Sequence, residues 1–184
     1  MKKIISLLTF AAALLMPLFA ASQNGFSAGV NWFTPTENRI AERDFNGFGI
    51  DGAYKIGIIK RLYVEPHMGI YTSIHHNIPA PGSSGYKIGK THAYGVNLGG
   101  DVGLKLFSFL NVFTGPDFRF DFKHHNTGDC KDKFNYSTIY WRFGLSINVW
   151  KLSLRGSYNL GMTDFGDGID DKVDTVTLGL RYYF

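Results

Sequence analysis

The chain has 184 residues, and its 19 basic against 15 acidic side chains give a formal charge of +4. Lys2 and Lys3 supply two of those cations, so the remainder carries +2, too weak and too scattered for a nucleic-acid footprint. A lone cysteine, Cys130, excludes an intrachain disulfide, whereas 22 glycines and 16% aromatic residues are both high for an ordinary domain.

Residues 1–22 read as a cleaved signal peptide. Lys2 and Lys3 precede an apolar run over 4–19, and the small residues Ala20, Ala21 and Ser22 follow it. That run is shorter than the roughly 20 apolar residues that cross a bilayer, and no positive stop-transfer flank comes after it. Residues 23–184 then suit one domain.

Eight segments of that domain alternate with period two, the signature of strands with one apolar and one polar face. The first, 25–33, puts Phe26, Ala28, Val30 and Trp32 on one side, and a long polar connection, 34–46, follows it. The second, 47–57, shows Phe48, Ile50, Tyr54 and Ile56, and a short turn over 58–61 leads to the third. That strand, 62–73, carries Leu62, Val64, Met68 and Ile70, ahead of the longest connection, 75–90. The fourth, 91–106, alternates through Tyr94, Val96, Leu98, Val102, Leu104 and Leu106, then turns tightly at 107–109. The fifth, 110–122, shows Val112, Phe118, Phe120 and Phe122 before another long connection, 123–135. The sixth, 136–149, carries Trp141, Phe143, Leu145, Ile147 and Val149, and a turn at Trp150 and Lys151 enters the seventh. That one, 152–163, alternates Leu152, Leu154, Tyr158, Leu160 and Met162, and a Gly/Asp stretch, 164–172, precedes the last. In 173–184 the apolar residues Val176, Leu178, Leu180, Tyr182 and Phe184 fall on every second position.

Connections thus run long and short in turn. An even-stranded antiparallel barrel in an outer membrane has that asymmetry, with long outer loops, short periplasmic turns and both termini periplasmic. A soluble lipocalin-like barrel, apolar inside, fits bare alternation equally well. The apolar face carries no Asp, Glu, Lys, Arg or His, which lipid and a packed soluble core would both enforce. Glycine placement separates the two. The polar face holds Gly29, Gly49, Gly69, Gly95, Gly99, Gly103, Gly115, Gly144, Gly161 and Gly179, against Gly52, Gly100 and Gly156 on the apolar side. A solvated strand surface gains nothing from so many glycines, whereas the narrow bore of an eight-stranded barrel needs small residues beside long ones. The polar face is therefore the inside.

That interior holds Asp51, Lys55, Glu65, His67, Asp101, Lys105, Asp117, Arg119, Asp121, Arg142, Arg155 and Arg181. Buried charges must be paired, so these residues are expected to form an ion-pair network that plugs the barrel, with Glu65 and Arg119 as the first pair. Pro66 and Pro116 lie mid-strand, where each removes a ladder hydrogen bond, and a bulge or register shift is expected beside each.

Other groupings carry weaker chemistry. His75 and His76, and His124 and His125, stand as adjacent pairs in two outer connections with His92 nearby, but adjacent residues rarely ligate one metal. They read as solvated loop residues, and no metal is expected. Asp164, Asp167, Asp170 and Asp171 offer oxygen ligands without the spacing of an EF-hand. Ser73 and His75 have the two-residue spacing of a serine nucleophile and base, yet no partner acid accompanies them.

The terminal Phe184 with alternating Leu178, Leu180 and Tyr182 resembles the closing strand of bacterial outer-membrane barrels. With the signal peptide and loop asymmetry, the chain resembles the small barrels of the OmpA and OmpX kind and the PorT-like barrels. The resemblance implies an all-β, eight-stranded antiparallel up-and-down transmembrane barrel without cofactors, embedded in outer-membrane lipid. It implies recognition of Leu178, Leu180, Tyr182 and Phe184 by the barrel-assembly machinery, and a non-enzymatic role in which outer loops meet an extracellular ligand. A narrow solute or ion pore is the alternative, and a lipid A-modifying enzyme or a lipocalin-like binder stands further off.

Overall fold

The computed structural model describes residues 24–36, 45–77, 89–127, 137–163 and 172–184. The signal segment 1–22, Cys130 and the acidic stretch 164–171 lie outside them, as does most of each long connection. Eight strands close into one antiparallel barrel: β1 (Gly25–Pro35), β2 (Phe45–Gly57), β3 (Leu62–Asn77), β4 (Gly89–Lys105), β5 (Leu110–Thr127), β6 (Ser137–Val149), β7 (Leu152–Gly161) and β8 (Thr175–Tyr183). Each pairs with the next, and β8 returns to β1 through registers such as Val30 with Leu180. Closure leaves no free edge, and that allows a sheet to satisfy its backbone inside hydrocarbon.

The alternating apolar residues face outward. Leu98 is 55% exposed and Met68 66%, whereas Arg181 is 2% exposed and Glu65 wholly buried. A soluble barrel would have the reverse arrangement, so the lipocalin-like reading fails. The short turns stand where period two ends, and Ile58 and Leu106 close two of them by donating to the carbonyls of Leu62 and Leu110. The β6–β7 turn is the tightest. Its first residue, Trp150, takes φ 57°, a left-handed conformation that two-residue hairpins demand and most side chains avoid.

Three sequence expectations change. The first concerns strand length: β3 and β5 run past their last apolar residue and β4 starts ahead of its first, so His75, His76, His124 and His125 lie in strands rather than loops. Ladder pairing continues there on polar side chains, which leave no hydrophobic period to read. The second concerns the face assignment. His92 takes the position before Tyr94 on the outward face, at the loop end of β4, so that face is not free of histidine.

The third concerns the prolines. Neither carries a register shift: Ala53 pairs with His67 and Ile56 with Val64 on either side of Pro66, in one unbroken count. Gly99–Asp117 and Val102–Thr114 flank Pro116 in the same way. An antiparallel residue directs its N–H to one neighbour only, so each proline opens a short gap toward one strand and pairs normally with the other. The irregularity stands instead between Tyr94 and Gly95, where β5 holds one extra residue.

The glycines show why the inner wall needs them. A methyl on Gly103 would strike the Tyr63 ring, one on Gly144 the Phe113 ring, and one on Gly115 the backbone carbonyl of Gly100. On the outer wall, a methyl on Gly52 meets nothing nearer than 3.9 Å. Gly115→Ala is therefore expected to cost about 1–3 kcal/mol, because a backbone oxygen cannot step aside. Gly52→Ala is expected to be neutral or to stabilise by up to about 1 kcal/mol. Urea midpoints of the two variants in one detergent provide the comparison.

Candidate functional site

Period two puts a residue on the inner wall, but barrel closure decides what it meets there. Glu65 on β3 is the centre of the turn-side half. Its Oε1 accepts from both Arg155 on β7 and Arg181 on β8, while Oε2 accepts from the Tyr183 hydroxyl at 2.9 Å and faces Lys55 Nζ at 3.6 Å. Strands β3 and β7 are four apart in a ring of eight, so the Glu65–Arg155 bond crosses the bore. Arg155 also donates to Asp101 Oδ2 at 2.7 Å, and Arg181 to Asp51.

Asp117 on β5 is the centre of the second half. Arg119 Nε donates to it at 3.0 Å, and the His67 ring lies 3.3 Å from its Oδ1. Arg142 on β6 joins the halves: it lies 3.6 Å from Asp101, 4.0 Å from Asp117, and 2.8 Å from His67 Nε2. Asp121 accepts from the Tyr71 hydroxyl at 2.5 Å. Lys105 stands on the inner wall beside β5 and makes none of the ion pairs found among the described residues.

The pairing of Glu65 with Arg119 does not occur. Across the β3–β4–β5 sheet, Glu65 stands level with Asp101 and Arg119 with Asn97. Those two are four residues apart on β4, or roughly 13 Å along the strand at about 3.3 Å per residue. The face was legible in the sequence; the height was not.

Sequence reasoning also missed the interior aromatics. Phe113 lies under the guanidinium of Arg155 at 4.2 Å, Phe33 and Tyr140 sandwich that of Arg119 at 4.4 and 4.6 Å, and Tyr63 and Tyr183 flank Lys55, each at 4.4 Å. A ring face attracts a cation most strongly where water is scarce. The signal was available, because each of these residues falls on the charged side of its own alternation. Rings and ion pairs occupy the described bore at the levels of Glu65, Asp117 and Arg119. A partly open interior pocket lined by Asn31, Asp51, Asn97, Asp117, Arg119 and Arg142 among others offers about 30 Å³ to water, enough for an ordered molecule.

Of the remaining candidates, Ser73 is buried on the inner wall, away from lipid. On β8, Leu178 and Leu180 face outward. The Tyr182 and Phe184 rings meet edge to face, and the Phe184 amide donates to Phe26 at 3.0 Å, tying the last residue to β1. Thr114 shows how a polar group is tolerated on the outer wall: it donates to the Arg142 carbonyl and accepts from the Trp141 indole at 2.9 Å.

A family described as the outer membrane protein beta-barrel domain matches residues 5–184. Among solved structures, Neisserial surface protein A (NspA) superposes with a TM-score of 0.56 at 14% identity, over 87% of this chain and 97% of that one. Ail, the attachment invasion locus protein of Yersinia pestis, solved with the heparin analogue sucrose octasulfate, gives 0.50 at 11% identity, over 89% and 100%. At such identities the likeness is one of fold. No curated protein sequence matches.

Proposed function

The chain belongs to the outer membrane protein beta-barrel domain family, and on that premise we propose a non-enzymatic role for it. It is an integral β-barrel of the bacterial outer membrane. Within that location, the barrel acts as a sealed, rigid wall that presents its longer connections, 36–44, 78–88, 128–136 and 162–174, to partners outside the cell. The end with the short turns and both chain termini faces the periplasm.

One observation carries the reading: Glu65 bonds across the bore to Arg155 and Arg181, so side chains occupy the path a solute would take. Eight strands leave an interior just wide enough for side chains to fill. Rigidity follows, because moving one wall would separate buried charges from their partners. Chemistry at the lipid-facing rim would need a nucleophile there, and Ser73 points the other way.

The expected result is a barrel that stays silent in planar-bilayer recordings, with or without Arg119→Ala. Cutting back connections 37–44 and 164–171 is expected to leave the gel mobility of the folded barrel intact while reproducing the envelope phenotype of a deletion strain. Steady conductance, or a normal envelope with both connections cut back, would overturn the reading.

A further inference from the structure

The three short turns are built from residues that water does not favour. Ile58, Ile59, Phe107, Phe109 and Trp150 are each 40% exposed or more. They continue the outward wall without a polar break: Leu106 follows Leu104 into one turn, and Val149 leads into Trp150. Backbone bonds tie each turn to the strand beside it. Lys105 donates to the Arg61 carbonyl at 2.7 Å, Asn148 to that of Phe109 at 2.7 Å, and Tyr183 to that of Lys151 at 2.8 Å.

The charged side chains of the turns have one sign. Lys60, Arg61 and Lys151 stand there, and no Asp or Glu occurs in 57–62, 105–110 or 149–152. Of the 15 acidic residues, five are on the inner wall and ten fall in connections 36–44, 128–136 and 162–174, which join strands at the opposite end. Lys151 Nζ lies over the Trp150 and Tyr182 rings at 5.9 and 5.7 Å, so this cation is held at the level of the exposed rings.

We propose that the turn end is a surface for anionic phospholipid. Its rings and isoleucines sit in the headgroup layer of the leaflet they meet, while Lys60, Arg61 and Lys151 bind lipid phosphates and prefer lipids of net negative charge. Two features argue for lipid over a soluble partner. The apolar belt is continuous with a wall that faces hydrocarbon, so a protein would have to displace lipid to cover it. Aromatic rings and long basic side chains also suit the headgroup layer, where an apolar body and a polar tip both find their medium. A cation close to an anionic surface strengthens the attraction by about fivefold. The inference rests on the membrane location of the barrel and on nothing about what the longer connections contact.

The test uses residues 23–184 with Trp150 as the one tryptophan, through Trp32→Phe/Trp141→Phe. The chain is folded into phosphatidylcholine vesicles with a minor fraction of phosphatidylglycerol, and the acyl chains of one lipid or the other carry bromine. At low salt, brominated phosphatidylglycerol is expected to quench Trp150 at least about twofold more per mole than brominated phosphatidylcholine. The excess disappears in Lys60→Gln/Arg61→Gln/Lys151→Gln, and it shrinks in about 1 M salt, where the screening length falls to about 3 Å. Unaltered gel mobility shows that each chain has folded. Where the tryptophan variant has not, spin-labelled forms of the two lipids measure the same preference in the unaltered chain; where the triple variant has not, Lys60→Gln and Lys151→Gln each lower it. A companion chain that keeps only Trp141 is quenched by both lipids. Quenching of Trp141 with none at Trp150, equal quenching of Trp150 by the two lipids, or a preference kept without the three cations would overturn the proposal. So would competition by inorganic phosphate at matched ionic strength, which would mark a site for a free oxyanion. No quenching of Trp141 would overturn the membrane location itself, and the proposal with it.

Discussion

Replacing Glu65 by glutamine is expected to lower the unfolding free energy of the barrel by about 3–5 kcal/mol, the usual cost of breaking a buried ion pair by removing one partner. Glu65 is wholly buried and takes hydrogen bonds from Arg155, Arg181 and Tyr183, with Lys55 at 3.6 Å. An amide still accepts one or two of those bonds, but it no longer balances the cations. Arg155 keeps Asp101 and Arg181 keeps Asp51; Lys55 keeps no acid among the described residues. Adding Lys55→Met to Glu65→Gln should therefore restore part of the loss, since the methionine fills a similar volume without a charge. Urea titration of the barrel in detergent, followed by gel mobility, measures the cycle. Strict additivity of the two changes would show that the charges are not coupled. A loss below about 1 kcal/mol for Glu65→Gln would show that water, not Arg155 and Arg181, is what Glu65 meets.

The second large effect tests which wall faces lipid. Leu98 lies near the middle of the outward run from Tyr94 to Leu106. Leu98→Arg is expected to cost about 2–4 kcal/mol when the barrel folds into lipid vesicles, and Phe107→Arg, in the turn below that run, about 0–1 kcal/mol. The contrast in depth is the diagnostic feature. Hydrocarbon penalises a guanidinium most at its centre, whereas water penalises neither position. Equal, small effects at the two positions would remove the membrane from the account of this wall.

The membrane-facing wall was legible without coordinates because its cause is local. Strand side chains alternate whatever the partners, so Val96, Leu98, Val102 and Leu104 had to share a face, and Asp101 and Lys105 the other. The same parity was enough to find Phe113 and Tyr63 beside the cations, although charge and glycine drew the reading away from them. The prolines show where local reasoning overreaches. A missing N–H suggested a bulge at Pro66 and Pro116, but the donor was lost toward one neighbour only, and the register held.

The sequence alone determined eight strands, their inner and outer faces, and the alternation of short and long connections. Each of those follows from period two and from the distance between one apolar run and the next. Partner choice was decided only by closure. Glu65 meets Arg155 rather than Arg119, because the register sets height along the axis and the ring sets which walls face each other. Alternation carries neither quantity, since a strand slid by two residues keeps every face and changes every partner.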